Sequence, residues 1–162
     1  MHGLDKIMLV HMQDLPLPMY DIKNCRPVCL QIFDEGSHGH LGVGESFRQI
    51  PFEIRRFYTI SGLTHPGAVR GSHAHKKLEQ VLFCLRGIAE IFVDDGFKTR
   101  VLILDAPDTG LYIPPGIWHE VRGFKNDALL LVLASSLYDE SDYIRDYEEF
   151  CRHARAHDRS LP

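Results

Sequence analysis

The sequence lacks a long hydrophobic run and the apolar core of an export signal. Its longest apolar run, residues 128–137, is far shorter than the roughly 20 residues that a membrane-spanning helix needs. Near the N-terminus, Asp5, Lys6 and His11 interrupt the apolar residues, which is not the pattern of a signal peptide. We therefore expect a cytoplasmic protein without a membrane partner.

Clustered positive charge is also missing. The formal net charge is -4, and the 18 Lys and Arg residues are interspersed among 22 acidic ones, so the basic footprint of a nucleic-acid-binding protein is absent. The four cysteines, at positions 25, 29, 84 and 151, have spacings that fit neither a metal knuckle nor a redox pair. Cys84 lies in an apolar segment and is predicted to be a buried hydrophobic residue.

The 162 residues fit one globular domain, with 44% hydrophobic residues, 25% charged residues and a mean hydropathy of -0.15. Residues 1–24, which include Pro16 and Pro18, show no sustained periodicity and are predicted to form an irregular leader. The main domain is predicted over residues 25–150, and residues 151–162 form a C-terminal tail. Within the domain, short apolar segments recur between turn signals, which is typical of an all-β sandwich or barrel.

The pattern predicts seven strands and one helix. Asp95-Gly96 predicts a tight two-residue hairpin, and Gly87 is expected to divide two strands as a turn. The spacing of apolar residues, with acids early and arginines late, predicts a terminal helix over residues 139–157. The predicted strands are 28–34, 52–60, 80–86, 88–94, 98–105, 110–113 and 129–135.

Two histidine motifs carry the strongest chemical signal. Residues 71–79 read Gly-Ser-His-Ala-His-Lys-Lys-Leu-Glu, and residues 114–119 read Pro-Pro-Gly-Ile-Trp-His. These are the two signatures of the cupin jelly-roll barrel, and a strand period of two would send His73, His75 and Glu79 to one face. His119 from the second motif would join them in the barrel mouth.

Three histidines and one carboxylate also suit a divalent transition metal. The motifs alone therefore leave open a metal-dependent cupin, such as a small-molecule dioxygenase or an epimerase-like relative. A non-catalytic cupin that senses sugars is a third possibility.

Seven segments resemble the dTDP-4-keto-6-deoxyglucose 3,4-ketoisomerases, the WxcM-like sugar cupins that supply aminodeoxy sugars for bacterial glycans such as lipopolysaccharide O-antigen or S-layer glycan. They include Pro-Phe-Glu-Ile-Arg-Arg-Phe-Tyr at 51–58 and Tyr-Asp-Glu-Ser-Asp-Tyr-Ile-Arg at 138–145, which are not general cupin features. The segments are 51–58, 70–82, 94–96, 110–113, 118–120, 133–135 and 138–145.

The resemblance implies a homodimeric isomerase, without metal or other cofactor, that moves a ketone from C4 to C3 of a dTDP-linked sugar. The two essential histidines of the family fall on His73 and His75. Imidazole can both accept and donate a proton near neutral pH, as an enediolate route requires. We expect one histidine to remove the C3 proton, while the other, or Tyr58, moves the proton between the two oxygens.

The resemblance also suggests which side chains bind substrate. Arg56 and Arg70 are candidates for the pyrophosphate, because guanidinium groups pair with two phosphate oxygens. The other candidates, each weighed against ordinary packing or solvation, are Lys76, Gln80, Tyr112, Trp118 and His119.

His38 marks a departure from the family. The family places an Arg-Gly or similar pair where this chain has His38-Gly39, and the pair helps to shape the sugar pocket. We include His38 among the candidate substrate-binding residues. The change leaves the C4 configuration of the product, galacto or gluco, undetermined.

Overall fold

The computed structural model describes residues 9–11 and 21–158. Strands dominate these residues and one α-helix lies at the C-terminal end, so the predicted all-β cupin barrel with a short C-terminal helix is confirmed. In this part of the chain no helix is long and apolar enough to cross a membrane. The elements are β1 Leu9–His11, β2 Arg26–Cys29, β3 Gln31–Asp34, β4 His40–Val43, β5 Arg56–Ile60, β6 Arg70–His75, β7 Gln80–Asp94, β8 Thr99–Leu104, β9 Thr109–Ile113, β10 Trp118–Ala134, β11 Tyr143–Ile144 and α1 Tyr147–Asp158.

The two longest strands, β7 and β10, lie at the centre of the sheet and pair with each other in antiparallel orientation. The first part of β7 also pairs with β9, and its second part pairs with β8. The first part of β10 pairs with β6, and its last part pairs with β5. Each long strand therefore changes neighbours along its length, which curls the sheet around the core. Strands β3 and β4 form a separate hairpin.

Gly87 was predicted to be a tight turn, and that prediction is wrong. Strand β7 runs through it, with Arg86 paired to Leu129 and Ile88 paired to Lys125. Its φ of +77° suits glycine, and an added Cβ would lie 2.4 Å from the Lys125 carbonyl oxygen. Gly87 therefore lies in a bulge of a continuous strand, at a point where the partner strand approaches closely.

The predicted hairpin at Asp95-Gly96 is confirmed, but its loop is longer than two residues. Strands β7 and β8 pair up to Asp94 and Thr99, which leaves four residues in the loop. Asp95 Oδ1 accepts hydrogen bonds from the backbone N–H groups of Phe97 and Lys98 at 2.9 and 2.8 Å. This side chain stabilises the wider turn in the manner typical of aspartate.

The predicted helix over residues 139–157 is wrong in its first part. Glu140–Asp142 form a 3-10 turn whose N-terminus is capped by Asp139, and Tyr143–Ile144 then pair with His75 and Ala74 of β6. Strand pairing thus overrides helical spacing, and α1 begins only at Tyr147. The helix crosses the predicted boundary between residues 150 and 151.

The predicted leader contains a strand, because Leu9–His11 pair in parallel with β8. Pro16 and Pro18 lie outside the described residues. The division into leader, domain and tail stays a prediction.

The core lies between the two halves of the curled sheet. Leu82, Ile91, Leu102 and Leu130 are almost wholly buried in its largest cluster, and Cys84 joins them as predicted. Each such side chain contributes about 1.5–3 kcal/mol when it is buried. The half-buried Tyr58 packs against the same cluster, so the core directly supports the barrel mouth.

Candidate active site

A cavity of about 650 Å³ opens at the barrel mouth. Its walls come from β5, β6, β7, β10 and β11, together with the segment that leads into β11. Of the residues predicted from sequence, six line it: Arg56, Tyr58, Arg70, His73, Gln80 and His119.

Three histidine rings meet beside this cavity, as the two motifs predict. His73 and His75 lie two residues apart on β6 and so share a face. His119 lies on β10 directly opposite His73. The ring centroids of His73 and His119 are 4.6 Å apart, and those of His73 and His75 are 4.8 Å apart. His75 is 3% exposed and lies behind His73, outside the cavity lining.

A hydrogen-bonded chain holds the histidine pair. His73 Nε2 lies 3.1 Å from His75 Nε2. The Nδ1 atom of His75 lies 2.9 Å from Asp142 Oδ2, and that of His73 lies 2.9 Å from the Gly71 carbonyl oxygen. The Asp142 carboxylate also accepts backbone N–H groups from Lys77 and Leu78.

Burial favours the neutral form of all three histidines. It is the main reason that the pKa of His75 falls to about 4; the neighbouring His73 lowers it further, and Asp142 acts in the opposite direction. Burial likewise lowers the pKa of His73, and it lowers the pKa of His119 well below the ordinary value. At neutral pH the cluster therefore consists of neutral imidazoles that can accept protons.

Tyr58 presents a neutral hydroxyl to the cavity. Burial raises the pKa of Tyr58 to about 12, so the hydroxyl keeps its proton at neutral pH. It accepts a hydrogen bond of 3.2 Å from Gln80 Nε2, which also lies 3.4 Å from His75 Nε2. Gln80 is 1% exposed, and among the described residues its Oε1 atom has no hydrogen-bond partner. A buried acceptor beside a cavity is suited to a ligand hydroxyl.

Three arginines surround the cavity and give it positive charge. Arg56, Arg70 and Arg145 all line it. The Arg56 guanidinium lies over the ring of Tyr58 at 5.5 Å, and the Arg145 guanidinium lies over the ring of Tyr143 at 4.3 Å. Arg145 also donates two hydrogen bonds to Glu140, from Nε to Oε1 at 2.8 Å and from Nη2 to Oε2 at 2.9 Å, which offset part of its charge. Guanidinium groups, whose N–H donors lie in one plane, are suited to binding a phosphate-bearing ligand.

Four predicted substrate-binding residues lie elsewhere in this chain. Lys76 donates a 2.8 Å hydrogen bond to the Ser141 carbonyl oxygen and lines a separate, smaller cavity. Tyr112 packs in the core beside Phe52, and Trp118 packs against Tyr147 and Phe150. His38 is exposed in the turn between β3 and β4. Their roles in binding stay predictions.

Glu79 does not share a face with the histidines, and that prediction is wrong. Strand β6 ends at His75, so the period of two does not extend to residue 79. Its carboxylate instead accepts a 2.6 Å hydrogen bond from the Tyr112 hydroxyl. Within residues 9–11 and 21–158, no group of three or more His, Cys, Asp or Glu side chains is arranged to hold a metal ion.

Four residues beside the site were not singled out from the sequence. Tyr138, Tyr143 and Arg145 line the cavity, and Asp142 binds His75. The Tyr143 ring lies 4.8 Å from that of His73 and 4.4 Å from that of His75. All four lie in segment 138–145, whose family resemblance was recognised but whose residues 139–145 were interpreted as the beginning of a helix. The Asp-x-Ser capping pattern at Asp139 was the local signal for a turn.

Comparison with known proteins agrees with this geometry. Residues 23–155 match the family described as FdtA: WxcM-like, C-terminal. The chain is 48% identical over 114 residues, covering 70% of it and 81% of its relative, to TDP-4-oxo-6-deoxy-alpha-D-glucose-3,4-oxoisomerase of Aneurinibacillus thermoaerophilus.

Two solved structures extend the comparison. A 3,4-ketoisomerase from Helicobacter canadensis is 42% identical, with a TM-score of 0.77 over 82% of this chain and 98% of its own. QdtA, a sugar 3,4-ketoisomerase from Thermoanaerobacterium thermosaccharolyticum in complex with TDP, is 38% identical, with a TM-score of 0.80 over 86% of this chain and 99% of its own. The recognised resemblance is thereby confirmed, and the chain belongs to the WxcM-like FdtA family of sugar 3,4-ketoisomerases.

Proposed function

We propose that this protein is an isomerase that converts dTDP-4-keto-6-deoxy-D-glucose to a dTDP-3-keto-6-deoxyhexose. The observation that carries the proposal is the neutral histidine pair beside a cavity lined by three arginines. The histidines supply a proton acceptor and the arginines supply a site for a diphosphate. The similarity to a named TDP-sugar 3,4-oxoisomerase favours this function over a metal-dependent dioxygenase or an epimerase-like cupin.

The reaction needs two proton movements, and the cavity has a group for each. His73 takes the proton from C3, and the electron pair of the C–H bond forms the C3–C4 double bond while the C4 carbonyl oxygen becomes an oxyanion. Tyr58 passes the C3 hydroxyl proton toward that oxygen, and the conjugate acid of His73 then protonates C4. General acid–base catalysis of this kind is typically worth about 10²- to 10⁴-fold.

Charge and size suit a sugar nucleotide. The cavity volume of about 650 Å³ lies within the range of about 300–1,000 Å³ that is usual for small-molecule sites. Arg56, Arg70 and Arg145 would pair with the two phosphates. Gln80 lines the cavity beside Tyr58 and, among the described residues, its buried Oε1 atom has no partner, so a small rotation of the amide would let it accept a hydrogen bond from a sugar hydroxyl.

We extend the proposal to the setting of the enzyme: a cytoplasmic homodimer in deoxyamino-sugar biosynthesis. Support for a dimer comes from the β3–β4 hairpin, where the cross-strand partners Phe33 and Leu41 are 46% and 55% exposed on one face. Apolar side chains grouped in this way are typical of an interface. The cytoplasm would keep the four cysteine thiols reduced. Light scattering of the purified protein tests the dimer.

Proton NMR in D₂O tests the reaction directly. Purified protein is mixed with dTDP-4-keto-6-deoxyglucose, with and without EDTA, and the double variant His73→Asn, His75→Asn serves as the control. We expect a 3-keto sugar, formed at the same rate with chelator, with deuterium at C4 in the fraction of turnovers in which the proton on His73 exchanges with solvent before it reaches C4, and no conversion by the variant. An unchanged sugar spectrum with the wild-type protein would refute the proposal, and loss of conversion on chelation would favour the metal-dependent alternative.

A further inference from the structure

The outer nitrogens of the histidine pair both face hydrogen-bond acceptors. His75 Nδ1 lies 2.9 Å from the Asp142 carboxylate, and His73 Nδ1 lies 2.9 Å from the Gly71 carbonyl oxygen. An ionised carboxylate and a carbonyl can only accept, so each Nδ1 atom carries a hydrogen. The carboxylate is itself fixed in this role, because it accepts the backbone N–H groups of Lys77 and Leu78.

The inner nitrogens then have no proton between them. In a neutral imidazole with hydrogen on Nδ1, the Nε2 atom carries a lone pair. The Nε2 atoms of His73 and His75 are 3.1 Å apart, so two lone pairs face each other at hydrogen-bond distance. One added proton converts this unfavourable contact into an N–H···N hydrogen bond. The first proton that the pair takes up is therefore shared by both rings, whereas a second proton is opposed by the charge of the first.

The surroundings decide which ring receives the proton. His73 lines the cavity, whereas His75 is 3% exposed behind it. The amide Nε2 of Gln80 points toward His75 Nε2 at 3.4 Å and so supports an acceptor there. A proton that arrives from the cavity thus binds His73 Nε2 and donates to His75 Nε2.

We propose that His73 and His75 act as one base, which holds the proton taken from the sugar between their Nε2 atoms, and that Asp142 is the positioning residue that fixes the tautomer of His75. The proposal rests on the ketoisomerase function and assigns the proton transfers of that reaction to separate groups. The C3–H bond breaks, its electrons enter the enediolate, and the N–H bond forms on His73. His75 never touches the substrate, and Tyr58 alone moves the proton between the sugar oxygens.

Charges around the pair match this role. Asp142 favours the positive charge that the pair acquires, and Glu140 favours it at His73. Arg56 opposes it at His75, and Arg145 opposes it at His73. Asp142 is the carboxylate in direct contact, at 2.9 Å, so it compensates the charge where it forms.

The variant Asp142→Asn tests the proposal. In this variant one amide oxygen replaces an Oδ1 that accepts from the Lys77 N–H at 2.8 Å and an Oδ2 that accepts from His75 Nδ1 at 2.9 Å and from the Leu78 N–H at 3.2 Å. With the oxygen kept on Lys77, the shortest of these contacts, the amide NH₂ faces His75 Nδ1. His75 must then accept at Nδ1 and carry its hydrogen on Nε2, where it occupies the position of the transferred proton. Asp139→Asn is the matched control, because it removes the same charge three residues away and asparagine caps as well as aspartate.

Two readouts are combined. In ¹⁵N-histidine NMR without substrate, we expect wild-type His75 to be protonated at Nδ1 and the Asp142→Asn protein to be protonated at Nε2. With dTDP-4-keto-6-deoxyglucose, we expect kcat to fall about 10²- to 10⁴-fold, the usual value of acid–base catalysis. KM should be unchanged, because Asp142 does not line the cavity. Asp139→Asn should match wild type in both readouts, and circular dichroism verifies that both variants are folded.

The possible outcomes separate this proposal from the function on which it rests. An active wild-type enzyme with His75 protonated at Nε2, or with kcat unaffected by Asp142→Asn, would overturn the shared base and leave the isomerase intact. A fall in kcat without a change of tautomer would also overturn it. A wild-type protein that does not convert the sugar would overturn the proposed function, and the shared base with it.

Discussion

Gly71 connects the stability of the barrel to the geometry of its histidines. Its φ is +85°, and an added Cβ would lie 2.8 Å from the His119 carbonyl oxygen. A left-handed conformation costs a non-glycine residue about 1–2 kcal/mol. The clash adds to this, because the neighbouring atom belongs to the backbone of β10 and cannot rotate away. We expect Gly71→Ala to lower the free energy of unfolding by about 2–4 kcal/mol, within the range for strain and overpacking.

Gly62→Ala provides the matched control for that prediction. Gly62 has a φ of +68° but nothing within 4 Å of an added Cβ, so the substitution carries only the backbone strain. Urea unfolding at equal protein concentration, followed by circular dichroism, gives both free energies. The difference between the two variants isolates the clash.

Activity should follow the same order. Displacing β10 from β6 moves His119 and the Gly71 carbonyl that orients His73. We therefore expect Gly71→Ala to reduce kcat more than Gly62→Ala does. Equal free energies of unfolding for the two variants would refute the close approach of these strands.

Three further predictions concern titration, proton relay and phosphate binding. The pKa of His75, about 4 in the folded protein, lies below the unfolded value of about 6.5, so its contribution to stability should be lost as pH falls from about 6.5 to 4. His73 and His119, whose pKa values are lowered by the same burial, should act in the same direction, so urea titrations at pH 7 and pH 5 measure the summed loss, and equal midpoints would contradict it. Tyr58→Phe should lower kcat by at least about a hundredfold, the lower end of the effect of acid–base catalysis, with little change in KM in the NMR assay. Arg145→Met should raise KM about tenfold or more, because one charge-assisted phosphate contact disappears, and an unchanged KM would place the diphosphate elsewhere.

The sequence predicted the parts of the fold that depend on local pattern. Strands β8 and β9, the Asp95-Gly96 hairpin and the meeting of His73 with His119 follow from periodicity, turn residues and two motifs. The prediction for Gly87 was wrong because a glycine with positive φ occurs in β-bulges as well as in turns. Only the pairing with the partner strand shows which of the two is present.

The remaining errors come from contacts between distant residues. Segment 138–146 has helical spacing, yet Tyr143 and Ile144 pair with β6, about seventy positions earlier in the chain. Asp142 could not be recognised as the partner of His75 without that pairing. Glu79 was misplaced for the opposite reason, since a period of two was extended beyond the end of β6. Tertiary pairing, which local pattern does not encode, decided the first two.

The two-residue strand β11 belongs to a segment, residues 138–146, whose local stability can differ from that of the whole barrel. The backbone of β11 pairs with the barrel at two residues, His75 and Ala74, whereas β7 and β10 are paired along most of their length. Regions with few hydrogen bonds open more readily than the structure as a whole. Local opening of residues 138–146 would remove Asp142 and Arg145 from the site while the hydrophobic core stayed folded. Amide hydrogen exchange would then distinguish two cooperative units, and enzymatic competence would be lost at a lower temperature than the fold.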